Sequence, residues 1–377
     1  MIFLRQRWCV IWVLTAGFGD GHNTAARCTA DALIKLLPGE KVEVTDLISE
    51  VQPRIAAVMK AAYQVAIIHC PAAWRLTYKM LAKPQMTAPD AAWQLPLIRA
   101  VEEIIERERP RLILSTYPVY SAVLAALRAK RPVPPLVTII TDSVSVHPIW
   151  VSAPSDRFCV ADDDTQRVVE KLGVSRDKIR VTGFPVSLAF TEPLPADAAG
   201  DGRQRILYLP STPARHVKAT LEALRPVLMS GVRLTLPVGK HGSRLYHVLR
   251  RFTDSLPPGT MEIVGWTPRI PEFLRTHDVV ICKAGGAILH EVLAARIPAV
   301  IDYVVPGQEE GNAEMLTSRD CGIRTHSPPE TAAAVQSILT NDGAAGRRMR
   351  ANMMPLSVPD AAIKTAQAAL KLAHPPA

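Results

Sequence analysis

The sequence predicts an α/β protein built from two doubly wound, Rossmann-like domains. Short apolar strands alternate with helical stretches along the chain. A Pro-, Ala-, Gly- and Asp-rich stretch, Thr191–Gly202, breaks that alternation once, and the same alternation then starts again. A length of 377 residues suits two domains, each large enough to bury its own core. The expected divisions are an N-terminal domain over 1–190, a linker over 191–203 and a C-terminal domain over 204–377, whose last helix is free to pack back on the first domain.

Taken in order, the expected strands of the first half are Cys9–Leu14, Val42–Asp46, Leu112–Ser115, Leu136–Ile140, Arg157–Val160 and Ile179–Thr182. Helical stretches lie between them, notably Ala25–Leu37 and Val119–Arg131. In the second half Arg205–Leu209, Arg233–Pro237, Met261–Val264, Asp278–Cys282 and Ala299–Tyr303 read as strands, again with helices between. No repeat with a period of about 20–50 residues is present. Ligands of doubly wound sheets bind outside the carboxyl ends of the strands. Two glycine-bearing turns, after Leu14 and after Cys282, fall at such ends, so they are expected to face one another across an interdomain cleft.

Composition narrows the class. The hydrophobic content of 48% is ordinary for a globular protein, and no run is long and apolar enough to read as a spanning helix. The start, Met1 to Leu14, mimics a signal peptide, but Arg5 and Arg7 interrupt it and it runs straight into a Gly-rich turn, so a first core strand is the better reading. The cysteines (Cys9, Cys28, Cys70, Cys159, Cys282, Cys321) form no CxxC pair and several sit in apolar runs, which favours free thiols in a reducing cytoplasm over a disulfide framework or a zinc site.

The formal net charge is +9, and more than half of that excess falls between Val51 and Arg99, where Arg54, Lys60, Arg75, Lys79, Lys83 and Arg99 face only Asp90. Met59, Tyr63, Trp74, Tyr78, Met80, Met86 and Trp93 are interleaved with them. A basic surface carrying Trp, Tyr and Met is how a peripheral protein attaches to an anionic bilayer, with Lys60, Trp74, Tyr78, Lys79 and Lys83 as contacts. The competing account is a helical lid whose aromatics pack inward. Nucleic acid is not expected, because no RNA-binding motif accompanies the patch.

Several strand ends carry chemistry. Thr15-Ala-Gly-Phe-Gly-Asp-Gly-His22 precedes a helix, and its alternating glycines, including Gly19 and Gly21, permit close main-chain approach to a ligand. Its spacing matches neither the dinucleotide fingerprint nor a P-loop. His22 is either a capping residue or a general base that takes a proton from an attacking hydroxyl. Thr141-Asp142 ends another strand, followed by His147 and Trp150; Asp142 either forms a turn or orients a histidine or substrate hydroxyl. No spacing of His22, Asp142 and His147 supports a metal site.

In the second half, Tyr208-Leu-Pro-Ser-Thr-Pro213, with Arg215, His216 and Lys218 beyond it, sets Ser211 and Thr212 at a helix start, for capping or for a diphosphate. Pro237-Val-Gly-Lys-His-Gly242 brings Gly239 and Lys240 to a similar place, and Val264-Gly-Trp-Thr-Pro268 offers Gly265 and the flat ring of Trp266 to a base or to the core. The most informative stretch is Lys283-Ala-Gly-Gly-Ala-Ile-Leu-His-Glu291, with a helix expected from about Ala287. A glycine pair, Gly285 and Gly286, at a strand-to-helix turn lets main-chain N–H groups and the helix dipole meet an anion, with Lys283 beside it. Glu291, about one turn in, is placed to accept from ribose hydroxyls. Pro306-Gly-Gln-Glu-Glu-Gly-Asn312 then supplies Gln308, Glu309 and Asn312 for reading sugar hydroxyls.

These motifs, with Ser115-Thr-Tyr-Pro118, Gly183-Phe-Pro185 and Gly265-Trp266, occur in an order that resembles the family of monogalactosyldiacylglycerol synthases and processive diacylglycerol glucosyltransferases, relatives of the N-acetylglucosaminyl transferase of peptidoglycan synthesis. The resemblance spans nearly the whole chain. It implies a GT-B fold and an inverting transfer of a hexose from a UDP-sugar to a lipid hydroxyl, with no cofactor or metal required. On matching positions it makes His22 the base with Asp142 beside it and gives the Gly285–Gly286 turn the diphosphate. It assigns Glu291 to the ribose, and Gln308, Glu309 and Asn312 to the sugar and its phosphate. Gly19, Gly21, Tyr117 and His147 fall in the acceptor and phosphate loops. The basic aromatic stretch falls where the family meets its membrane, which implies a cytoplasmic protein peripheral on the inner face of the cell membrane. Ala284 stands where a proline is usual, Ile288 where threonine is frequent, and Pro210-Ser-Thr-Pro213 replaces a Gly-rich loop. These departures point to a divergent bacterial-type subgroup. They leave two rival readings, a UDP-N-acetylglucosamine 2-epimerase-like enzyme and a non-catalytic nucleotide-sugar- or lipid-binding protein.

Overall fold

The computed structural model describes residues 10–69, 94–195, 198, 201–239, 242–305 and 309–373. The chain divides into two compact units, Met1–Leu188 with Asp360–Ala377, and Ala189–Pro359. Each is an α/β unit around one six-stranded sheet in which every recorded strand pair is parallel.

In the first unit the strands are β1 (Val10–Leu14), β2 (Lys41–Thr45), β3 (Leu112–Ser115), β4 (Leu136–Ile139), β5 (Arg157–Val160) and β6 (Ile179–Val181), in the order β2-β1-β3-β4-β5-β6. The central strands β1, β3 and β4 are buried throughout, which is why each reads as a continuous apolar run rather than an alternation. At the edge, β2 is largely exposed and carries Lys41 and Glu43, charges that discourage further pairing. The described helices are α1 (Asp20–Leu36), α2 (Leu47–Val51), α3 (Pro53–His69), α4 (Leu95–Glu108), α5 (Val119–Arg128) and α6 (Asp163–Lys171). Helix α1 starts at Asp20, five residues before the expected Ala25. Gly19 caps it in an extended conformation and the Asp20 carboxylate complements the helix dipole, so Gly21 and His22 lie inside the first turn.

The second unit contains β7 (Arg205–Tyr208), β8 (Arg233–Pro237), β9 (Met261–Val264), β10 (Val279–Lys283), β11 (Ala299–Tyr303) and β12 (Gly322–Arg324), ordered β12-β11-β10-β7-β8-β9. Its helices are α7 (Ala214–Met229), α8 (Gly242–Thr253), α9 (Ile270–Thr276), α10 (Gly286–Ala295), α11 (Glu310–Thr317), α12 (Pro328–Leu339) and α13 (Ala344–Met353). Ile206, Tyr208, Leu221, Leu224, Leu234, Leu236, Val279, Ile281 and Val300 fill one face of its core. The last helix, α14 (Ala361–Leu370), belongs to the first unit. Its Ala362, Ala366 and Ala369 pack in the core that holds Ala26, Ala30 and Leu33 of α1, and Thr365 donates to Thr182 at 2.9 Å.

Topology fixes where each unit binds. In the first sheet the strand order turns back between β1 and β3; in the second it does so between β7 and β10. Crevices at the carboxyl ends of such strand pairs are the binding places of open parallel sheets.

Among the described residues no helix is long and apolar enough to cross a membrane, and no cluster of three or more His, Cys, Asp or Glu is placed to hold a metal ion. Cys28, Cys159, Cys282 and Cys321 are buried free thiols, while Cys9 and Cys70 lie outside the described residues.

Candidate active site

The first crevice is built from the turns after β1 and β3. Tyr120 ties the turn after β1 to the start of α2, its hydroxyl donating to the Thr15 carbonyl at 2.9 Å and accepting from Ile48 N–H at 3.3 Å. Thr15 Oγ1 donates to Asn23 at 3.0 Å. Gly17 N–H donates to Asp46 Oδ2 at 3.0 Å. Beyond that the loop opens: a Cβ on Gly19 or Gly21 would meet nothing within 4 Å among the described residues.

His22 is the third residue of α1, and its Nδ1 lies 2.8 Å from Thr141 Oγ1 at the end of β4. Its ring meets Tyr117 edge-on at 5.2 Å between centroids and Trp150 at 5.9 Å. Tyr117 is held by the turn after β3, where its N–H donates to Ser115 Oγ at 3.2 Å, and it stacks on Phe18 at 5.5 Å. Burial pulls the His22 imidazole below its ordinary pKa of 6.5, opposed by the Asp142 charge and a main-chain hydrogen bond at Thr116. The neutral imidazole, the form that can accept a proton, is therefore favoured at neutral pH.

Asp142 does not hydrogen-bond His22 directly. Its Oδ2 accepts from Trp150 Nε1 at 2.7 Å and so fixes the indole that flanks His22. His147 is buried, and its Nδ1 accepts from Ile149 N–H at 3.2 Å, capping the short 3-10 helix Pro148–Val151 that carries Trp150. The first unit thus brings His22, Asp142 and Tyr117 together and sets His147 beneath them as a cap. Trp150, Thr141 and Phe18 complete the surroundings. They stand inside the motifs read from sequence, but nothing in those motifs marks them as neighbours of one imidazole. Lys60, expected among the membrane contacts, has its ammonium 3.3 Å from Asp46 Oδ2 and 2.8 Å from Ser49 Oγ.

The second crevice centres on the turn between β10 and α10. Gly285 caps α10, and among the described residues no side chain caps its first main-chain N–H groups. Asn312 Nδ2 donates to the Ala284 carbonyl at 3.1 Å, and Ala284 N–H donates to the Tyr303 carbonyl at 2.9 Å. Lys283 Nζ lies 2.5 Å from Glu309 Oε1, and Glu309 Oε2 accepts from Val305 N–H at 3.0 Å. Glu309 is buried at the start of α11, so its carboxylate is compensated from both sides.

Glu291, the sixth residue of α10, differs from both. Among the described residues no hydrogen bond or ion pair reaches its carboxyl, and burial pushes its pKa from 4.5 up to about 7. A carboxyl raised in this way, with no donor among the described residues, is a candidate for binding a ligand.

Ser211 is exposed and Thr212 buried in the turn after β7, the strand beside β10. Gly239 follows β8, and Gly265 with the exposed Trp266 follows β9 at the sheet edge, roughly 14 Å from β10 at ordinary strand spacing. The second unit therefore gathers Lys283, Gly285, Gly286, Glu291, Glu309 and Asn312 in one place and spreads the remaining candidates along the sheet. A cluster that sequence reading missed lies beside them: Asp302, buried at the end of β11, accepts from Tyr208 Oη at 3.2 Å and lies 3.3 Å from His216 Nε2. An acid inside an apolar strand was the available signal. Lys240 and Gln308, expected at the donor, and Trp74, Tyr78, Lys79 and Lys83, expected at the membrane, lie outside the described residues.

Comparison with known proteins bears on this arrangement. The family model of monogalactosyldiacylglycerol (MGDG) synthase matches residues 22–186, which contain the first crevice from His22 onward. The processive diacylglycerol beta-glucosyltransferase of Bacillus licheniformis is 26% identical over 340 residues, 88% of this chain and 87% of the relative. Among solved structures, MurG of Acinetobacter baumannii superposes with a TM-score of 0.61 at 17% identity, covering 97% of this chain and 99% of that one. A UDP-N-acetylglucosamine 2-epimerase superposes at 0.60 and 13% identity, covering 94% and 93%. At those identities the structural likeness speaks for the fold, while the sequence matches speak for kinship. The sequence matches make the chain similar to monogalactosyldiacylglycerol synthases and processive diacylglycerol glucosyltransferases, and the structural matches show the GT-B fold of glycosyltransferases.

Proposed function

We propose that the protein transfers a hexose from a UDP-sugar to the free hydroxyl of a diacylglycerol-like lipid, with inversion at the anomeric carbon. The observation that carries the donor half is Glu291: a half-buried carboxyl with no hydrogen bond or ion pair among the described residues, set one and a half turns behind a glycine-capped helix start. The nearby cation Lys283 already has its counter-charge in Glu309. A nucleoside diphosphate suits this arrangement, its phosphates meeting main-chain N–H groups and the helix dipole while a ribose hydroxyl donates to Glu291. The name of the relative supports a diacylglycerol acceptor.

In this reading His22 is the general base. As the acceptor oxygen forms its bond to the anomeric carbon, the hydroxyl proton passes to the imidazole. The bond from the anomeric carbon to the β-phosphate oxygen breaks, and UDP departs with the electron pair. The N–H groups at Gly285 and Gly286 stabilise the charge that grows on the departing diphosphate, which requires neither metal nor cofactor. Asp142 supports the protonated imidazole electrostatically. A peripheral position on the inner, anionic face of the cell membrane would deliver the lipid, through the basic aromatic segment, of which residues 70–93 lie outside the described residues.

The test is incubation with labelled UDP-glucose, UDP-galactose and UDP-N-acetylglucosamine, each with and without diacylglycerol in anionic vesicles. Label entering the lipid phase from one donor is the expected outcome. Turnover of UDP-N-acetylglucosamine without lipid would select the epimerase, and UDP binding without any turnover would select a binding protein.

A further inference from the structure

The turn that carries His22 is fastened from outside its own strand. Asp46 caps α2, accepting from Ser49 N–H at 3.1 Å and Ser49 Oγ at 2.6 Å, and the same carboxylate accepts from Gly17 N–H at 3.0 Å. Lys60 reaches over from α3 to Asp46 Oδ2 and Ser49 Oγ, and its ammonium stands 5.8 Å from the centre of the Phe18 ring. A Cβ on Gly17 would stand 2.7 Å from Lys60 Nζ and 3.1 Å from Asp46 Oδ2, so a larger residue there would push the flexible end of Lys60 away from the pair. Phe18 stacks on Tyr117, and Tyr117 meets the edge of His22.

We infer that Lys60 and Asp46 form a latch that positions the general base: an ion pair on α2 and α3 that pins Gly17 and Phe18 and, through the Phe18–Tyr117 stack, sets the place of the His22 imidazole. This rests on the reading of His22 as base and adds two positioning residues to it. Neither touches substrate. Both act through aromatic contacts, so loosening them lets the imidazole drift from the attacking hydroxyl without disturbing the donor crevice, whose residues belong to the other unit. Placement errors of about 1 Å at a reacting group cost up to about a hundredfold in rate. Burial holds the His22 pKa down, so a loosened aromatic cage should also be legible in the imidazole itself. Asp142 is the charged group facing His22 and would be unchanged.

The experiment uses the full chain with Lys60→Met and, as a second way of opening the latch, Gly17→Ala. Each should lower kcat for sugar transfer about tenfold or more while the KM for UDP-sugar stays within about twofold. The double variant should be no worse than the poorer single, because both disrupt one contact. Histidine NMR should show the His22 titration midpoint rising toward its ordinary value in both variants. Wild-type kcat together with an unmoved His22 titration in Lys60→Met would overturn the latch, as would a loss confined to donor KM. Should His22→Ala itself retain turnover, the base reading fails, and the NMR titration then decides the latch by itself.

Discussion

The two glycine-bearing turns look alike in sequence, since each follows a buried strand and opens a helix, yet they are held in opposite ways. The turn after β1 is fastened by its own surroundings: Asp46 and Tyr120 hold its backbone, Lys60 pairs with Asp46, and Tyr117 and Trp150 flank His22. The turn after β10 is supported from behind, by Asn312 on Ala284 and Glu309 on Lys283, and among the described residues nothing engages its first N–H groups through a side-chain cap or reaches the Glu291 carboxyl. On the proposed reading, the first arrangement tunes one proton acceptor and the second keeps groups for a ligand. A base needs a fixed position and pKa, whereas an anion site needs donors that nothing else has taken.

The largest expected effect lies in the first turn. His22→Ala should lower kcat by about 10²- to 10⁴-fold, with UDP affinity unchanged in calorimetry, because proton removal and donor binding are carried by separate turns. Loss of UDP affinity in that variant would erase the contrast. Next is Lys283→Met in the second turn, which leaves the buried Glu309 carboxylate, among the described residues, with Val305 N–H alone. Because the lysine side chain is 34% exposed, solvent screens part of the pair, and a loss of about 1–3 kcal/mol in urea unfolding is expected. Pairing it with Glu309→Gln should restore most of that loss, which separates an ion pair built for support from a cation aimed at phosphate.

Most of the fold was legible because parallel sheets bury their strands on both faces, so β1, β3, β4, β7 and β10 announce themselves as apolar runs. The start of α1 was not, since glycines and a histidine are weak helix formers and Gly19 caps through backbone geometry alone. Nor was β12, a three-residue edge strand without a pattern to read. At the site, residue types were readable and partners were not. Lys60 sits in a basic, aromatic segment, and nothing local says that Asp46 captures its charge across the α2–α3 junction. Glu309 and Asn312 read as sugar ligands from their loop, while the contacts they make, with Lys283 and with the Ala284 carbonyl, depend on how α11 packs beside α10.

A comparable effect is expected from Glu291→Gln, and it tests whether the second turn holds a free group. A carboxyl with its pKa raised to about 7 binds its proton more tightly folded than unfolded. It therefore lends the ligand-free protein stability that is fully present below 4.5, its ordinary pKa, and lost as pH rises through about 7. Glutamine carries no such proton, so the variant should be more stable than the parent by roughly 3 kcal/mol in denaturation near pH 8 and indistinguishable near pH 4. The same variant should bind UDP about tenfold more weakly while uracil binding holds, since a neutral amide accepts less strongly from ribose. Equal stability curves would mean that Glu291 finds a partner in solution, and the contrast between the turns would fail there.

The finest test lies at Asp142. Its charge raises the His22 pKa against the opposing pull of burial, and its Oδ2 also fixes Trp150. Asp142→Asn keeps an acceptor for the indole while removing the charge, so the aromatic cage should stay and the imidazole midpoint should fall further below 6.5. With the imidazolium less supported as the proton arrives, kcat should drop by about twofold to fivefold, without change in donor KM. Asp142→Ala removes both functions and should cost more, by the amount that the anchored Trp150 contributes to holding His22. If the two variants behave alike, Asp142 acts through charge alone, and the first turn owes its rigidity to Thr141 and Tyr117.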